Sequence, residues 1–205
     1  MKYRVWRGLV FVAALIPSLL WIYQAMGFDL GPDPAKTLLD RLGLGGLMLL
    51  LITLSMTPLW RLTRWMGWMA VRRQLGLWAF AYALLHMLVY AVFLLGLDGG
   101  QLLKDLQRRP YILIGALALL VLLILAVTSN RLCMRKLGKR WKRLHRLVYA
   151  ALILIVLHMF WVVRADLFEW LVYACLGLLL LLLRVPFFSS LTSRAPRGPG
   201  EHFPN

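Results

Sequence analysis

Apolar side chains fall in long unbroken blocks near residues 6–26, 43–60, 74–97, 110–128, 144–163 and 167–185, separated by basic segments or by Gly, Pro and Asp clusters. A helix needs about 20 residues to cross a hydrocarbon layer ~30 Å thick, so each block predicts a transmembrane helix. The expected fold is an all-α integral membrane protein. Residues 1–185 form one six-span bundle, and residues 186–205, rich in Pro, Gly and Ser, form a disordered tail.

Local chemistry refines the pattern. "GFDLGPDPAKTLLD" reads as an outer turn followed by a short amphipathic segment. Pro58 bends or ends the second helix, and Thr53, Ser55 and Thr57 are expected to satisfy the carbonyls it frees. Pro110 starts the fourth, where a helix has no donor to lose. The first block follows Lys2, Arg4 and Arg7 like a signal peptide, but no small-residue cleavage site follows it, so it is read as an anchor. No internal repeat, Walker motif or dinucleotide fingerprint is evident, and the residues after the last span are too few for a flavin or nicotinamide domain.

Composition agrees, with 61% hydrophobic and 16% charged residues. A net charge of +16 would suggest nucleic acid in a soluble chain. Its distribution says otherwise. Alternate segments hold eighteen Lys and Arg against one acid, Glu201, whereas the other three loops hold six against seven acids. That asymmetry predicts cytoplasmic termini and affinity for anionic membrane lipid, and gives nucleic acid no support. Cys133 and Cys175 differ too much in sequence position and depth to form a disulfide or thiolate metal site.

Ionisable groups inside a membrane are costly, so they mark a ligand or a pathway. His86 lies thirteen residues past Arg73, and His158 lies twelve past Arg146. At 1.5 Å per residue each imidazole sits ~20 Å from the inner end of its helix, so two parallel helices present them at one level. Two such imidazoles match the axial requirement of a six-coordinate b-type haem. Ala79, Ala83 and Ala151 are expected to leave room for the macrocycle, and Tyr82, Tyr90 and Phe93 to wall it. The plainer alternative is that each histidine bonds a neighbouring helix. His145 precedes His158 by thirteen residues, about 220° around a straight helix. The two rings then point apart. A second haem through His145 would want a partner where Arg73 stands, so a bis-histidine inner haem is disfavoured. His145 is either an interfacial histidine or part of an inner carrier site with Arg143 and Arg146. His202 lies in the tail and is read as inert.

"RRQLGLWAFAYALLH", "RRPYILIG", "RKLGKRWKRLHRLVY" and the downstream His158 resemble the MsrQ (YedZ) family, the haem-binding membrane subunits of bacterial protein-methionine-sulfoxide reductases, within the ferric-reductase-like transmembrane group. The resemblance runs from about Leu15 to Arg184. It implies an inner-membrane subunit carrying electrons from the quinone pool or a cytosolic flavin reductase, through haem b and flavin mononucleotide, to a periplasmic molybdenum-cofactor (molybdopterin-dependent) subunit that repairs methionine sulfoxide. His86, His145 and His158 match the family's haem-associated histidines. The four-histidine set and appended dehydrogenase domain of ferric reductases are missing, which implies an outside donor. With the haem in the outer half, the outer loops 27–42, 98–110 and 164–168 are the expected docking surface, and Arg108, Arg109 and Arg164 the expected propionate partners. A competing class is a histidine-based proton or metal conduit, disfavoured by the scarcity of intramembrane carboxylates. A haem-free anchor is the third.

Overall fold

The computed structural model describes residues 2–27, 29–163 and 167–184. Among them are helices and turns and no strand. The helices are α1 (Arg4–Met26), α2 (Pro34–Thr63), α3 (Gly67–Val89) continuing into a π-helical turn (Tyr90–Leu94), α4 (Gly99–Arg108), α5 (Pro110–Val127), α6 (Arg131–Leu137), α7 (Lys139–Leu144), α8 (Leu147–Val162) and α9 (Leu167–Leu182). α1, α2, α3 with its π turn, α5 and the stretch Lys139–Val162 are long and apolar enough to cross a membrane. α9 is apolar too, but its 16 residues reach only ~24 Å at 1.5 Å per residue. The expected sixth span is therefore short of the length the apolar run suggested. The tail beyond Arg184, with His202, lies outside the described residues.

α2 begins earlier than expected. Pro34 takes the first helical position and the Asp33 side chain accepts from the Lys36 amide at 3.0 Å, so the segment read as a separate amphipathic stretch is the first turns of one 30-residue helix. The loop before α5 is also ordered. Asp98 caps α4 by accepting from the amides of Gly100 and Gln101 at 2.8 and 3.1 Å.

Pro58 does not end α2, which runs to Thr63. Lacking an amide hydrogen, Pro58 leaves the Leu54 carbonyl without its partner four residues on. That carbonyl is satisfied by Arg184, whose Nη2 donates to it at 2.7 Å. Thr53 and Ser55 instead bond the carbonyls of Leu49 and Leu51, and the Thr57 hydroxyl has no partner among the described residues. The expectation that these hydroxyls would repair the proline gap is corrected: a cation from the end of α9 does so.

Two helical hairpins, α2–α3 and α5–α8, form the centre. Their shared core contains Leu47, Leu50, Leu51, Leu54, Ala79, Leu122, Ala151 and Leu152. Within it Leu50 pairs with Leu122, and Ala79 with Ala151, at a single offset of 72 residues (122 − 50 and 151 − 79). The same offset relates Gly43 to Gly115 and His86 to His158, the latter inside two "LHM" triplets. An internal repeat that the sequence concealed is thus present in the architecture. α1 packs against the first hairpin, where Tyr82 is buried and donates to the Ala14 carbonyl at 2.7 Å. Trp6, Trp65 and Trp68 cluster at the basic end, with ring centroids 4.9–6.1 Å apart, as aromatic rings do at a membrane interface.

Candidate functional site

His86 and His158 face each other across the two hairpins, with ring centroids 6.3 Å apart and planes at 90°. Each is held by the other helix of its own hairpin. His86 Nδ1 lies 2.9 Å from the Leu39 carbonyl oxygen on α2, and His158 Nδ1 lies 2.7 Å from that of Tyr111 on α5; each histidine follows its carbonyl by 47 residues. A carbonyl only accepts, so both Nδ1 atoms carry the proton and both Nε2 atoms keep a free lone pair. This is how a protein fixes the tautomer of a metal-binding imidazole. Among the described residues neither Nε2 makes a hydrogen bond.

Two glycines make the arrangement possible. A Cβ on Gly43 would stand 2.9 Å from His86 Nδ1, and one on Gly115 would stand 2.9 Å from both Cε1 and Nδ1 of His158. Each imidazole edge therefore lies on bare helix backbone four residues after the carbonyl it bonds. Sequence reasoning missed both glycines, because a glycine in a membrane helix is common. Their signal lay in the 72-residue correspondence with the histidines.

The pair would suit a group that takes one imidazole nitrogen from each hairpin, as a b-type haem does: the ring centroids lie 6.3 Å apart and both Nδ1 atoms are already committed to carbonyls. The plainer alternative, histidines that merely tie helices together, accounts for the Nδ1 bonds but not for the meeting of two imidazoles from different hairpins at 6.3 Å.

Other expectations need correction. Tyr82 turns toward α1, against Trp21 and the Ala14 carbonyl, and Phe93 is 65% exposed, so neither walls the histidine pair. Tyr90 donates to the carboxylate of buried Asp105 at 2.5 Å. The aromatic neighbour of His158 is Tyr111, at 6.3 Å between centroids. Ala79 and Ala151 are taken up in the hairpin core, and Ala83 in the contact with Gly46. Arg109 pairs with Asp105 at 3.4 Å, Arg108 closes the exposed last turn of α4, and Arg164 lies outside the described residues. Among the described residues neither Arg108 nor Arg109 bonds His86 or His158.

His145 sits apart, near the basic end. The straight-helix estimate of its direction does not apply, because the helix is interrupted at His145 and Arg146, between α7 and α8. Its ring stacks on Trp141 at 3.8 Å, its Nδ1 lies 3.2 Å from the Trp141 carbonyl oxygen, and its Nε2 lies 3.3 Å from the Ser129 hydroxyl. Arg73, its counterpart at the 72-residue offset, donates to the Ser129 carbonyl. Arg143 and Arg146 are exposed.

Residues 41–156 match the family described as ferric reductase like transmembrane component. The chain is also 45% identical, over 185 residues and 89% of each chain, to the protein-methionine-sulfoxide reductase heme-binding subunit MsrQ of Rhodospirillum rubrum.

Proposed function

The chain belongs to the ferric-reductase-like transmembrane family and, within it, to the MsrQ haem-binding subunits, and we propose that it carries electrons across the inner membrane to a periplasmic methionine sulfoxide reductase of the molybdopterin-dependent kind. His86 and His158 would hold one b-type haem. The observation that carries this reading is the pair of facing imidazoles, 6.3 Å apart, with both Nδ1 atoms committed to backbone carbonyls.

When bound, such a haem supplies a one-electron store that alternates between ferric and ferrous states. The chain's own residues set its position and its exclusion from water. Leu39 and Tyr111 orient the imidazoles through their carbonyls. Gly43 and Gly115 admit the rings, and Leu50, Leu122, Ala79 and Ala151 close the helix core between the two ends of the bundle. Both termini are cytoplasmic in this reading, α9 is the sixth span, and the histidine pair lies in the outer half. α4 then lies on the periplasmic surface beside the pair and offers Leu103, Lys104 and Arg108 for docking. The donor is a membrane quinol or a cytosolic flavin reductase, the latter needing a carrier such as flavin mononucleotide near His145 to span ~20 Å of helix. A proton or metal conduit is less well supported: among the described residues no three His, Cys, Asp or Glu side chains gather as metal ligands.

A reconstituted electron-transfer assay tests the proposal. Purified protein is reduced chemically and mixed with the periplasmic reductase and methionine sulfoxide. The ferrous haem band should decay only when both are present, and Lys104→Glu with Arg108→Glu should slow the decay about tenfold by disturbing the docking surface. Persistence of the ferrous band with the full mixture would remove the proposed acceptor.

A further inference from the structure

The basic end of the bundle holds more inward-facing positive charge than its described partners neutralise. Arg184 reaches back from the end of α9. Its Nη1 donates to the Tyr149 hydroxyl at 2.8 Å and its Nη2 to the Leu54 carbonyl at 2.7 Å, while Cζ lies 5.2 Å from the Tyr149 ring centre. Its third nitrogen, Nε, is buried and has no acceptor among the described residues, and the Thr57 hydroxyl, about a turn beyond Leu54, is buried and unpartnered among them as well. Arg72, near the start of α3 at the same basic end, is half-buried. Among the described residues it has no hydrogen bond or ion pair. Both described ion pairs, Lys36–Asp40 and Arg109–Asp105, lie at the opposite end of the bundle.

Drawing guanidinium groups out of water without counter-charge is costly, and each unmade buried hydrogen bond adds to that cost. One anion with several acceptor oxygens answers all of these at once. It would accept from Arg184 Nε, from Arg72 and from Thr57, and from the Tyr149 hydroxyl, whose oxygen already accepts from Arg184 and whose proton is free to be donated. A carboxylate has two oxygens, whereas a phosphate presents at least two free ones plus a tetrahedral spread suited to donors arriving from different helices. The sequence places only one acid, Glu201, among the eighteen bases of this face.

We propose that Arg72, Arg184, Thr57 and Tyr149 form an oxyanion site at the basic end of the bundle, for the phosphate of a phosphorylated small molecule or of an anionic lipid headgroup. The site lies about 20 Å along α3 from His86 and stands independently of the haem reading. It differs from the expected cluster of His145, Arg143 and Arg146, of which the two arginines are exposed.

The test uses the full chain in nanodiscs of neutral phosphatidylcholine, titrated with flavin mononucleotide and with riboflavin, which differ by the phosphate alone. In a second arm phosphatidylglycerol is added to the discs, and retained lipid is identified by native mass spectrometry. A phosphorylated small-molecule ligand is indicated if the mononucleotide binds about tenfold or more tightly than riboflavin, a gap of 1.4 kcal/mol, and if Arg72→Gln and Arg184→Gln each erase it. A lipid ligand is indicated if phosphatidylglycerol is retained by the wild type and lost from both variants. Arg184→Lys should restore part of either signal. Because Arg184→Gln also disturbs the Leu54 carbonyl, Arg72→Gln is the variant that decides if the former fails to fold, and helix content by circular dichroism equal to the wild type's certifies its fold. No phosphate preference and no arginine-dependent lipid retention would overturn the site, whatever the fate of the haem proposal.

Discussion

His86→Ala and His158→Ala should each abolish the low-spin absorption spectrum of the purified protein while leaving insertion and helix content intact. The effect is expected to be all or none, since an iron deprived of one axial nitrogen is no longer six-coordinate with two imidazoles. Loss of the fold is not the expected cause. The Leu39 and Tyr111 carbonyls lie inside α2 and α5, so each keeps a helical amide partner when the imidazole is removed. Added imidazole should enter the vacated space and restore a low-spin spectrum. A variant that retains an unchanged spectrum would break the pairing.

The second large effect concerns glycines that touch no iron. Gly43→Ala and Gly115→Ala should each reduce haem occupancy about tenfold or more and yet leave the haem-free protein as stable as before, or more so. A Cβ 2.9 Å from the ring must gain roughly 0.5 Å to reach ordinary contact, about the positional tolerance of a preorganised site. Alanine also raises helix stability by up to about 1 kcal/mol relative to glycine. The two terms act in opposite directions on different observables. A purely structural role for these glycines predicts the reverse pattern, lowered stability with normal occupancy. Titrating haem into each variant, beside thermal unfolding of the haem-free form, separates the cases.

How much of this was legible in the sequence depended on the range of the interaction. Apolar blocks anticipated the five helices long and apolar enough to cross a membrane, and the shorter α9, because crossing is a matter of continuous length and composition. Counting from the flanking arginines placed His86 and His158 at one level, and the structure brings their rings together. The caps at Asp33 and Asp98 carried their signals openly, an acid followed by Pro34 and an acid before two glycines, yet the first segment read as a turn and a short amphipathic stretch and the second as an outer loop, because short amphipathic helices resemble loops. What stayed hidden depends on partners far apart in the chain. Arg184 completing the Leu54 carbonyl spans 130 residues, and Tyr82 bonding the Ala14 carbonyl spans 68. The aromatic wall expected around the histidines failed for the same reason: position on a helix face does not say which neighbouring helix claims the side chain. The interruption at His145 and Arg146 lies within a continuous basic and apolar pattern, so a straight-helix projection could not anticipate it.

The measurement that bears most directly on the central claim is low-temperature electron paramagnetic resonance of the ferric wild-type protein, alongside both histidine variants. With both Nδ1 atoms tied to carbonyls and ring planes at 90°, two imidazoles on one iron should give a low-spin signal of the strongly anisotropic kind that perpendicular axial planes produce. That signal should vanish in His86→Ala and in His158→Ala alike. A high-spin wild-type signal, or a low-spin one that survives the loss of either histidine, would contradict the account.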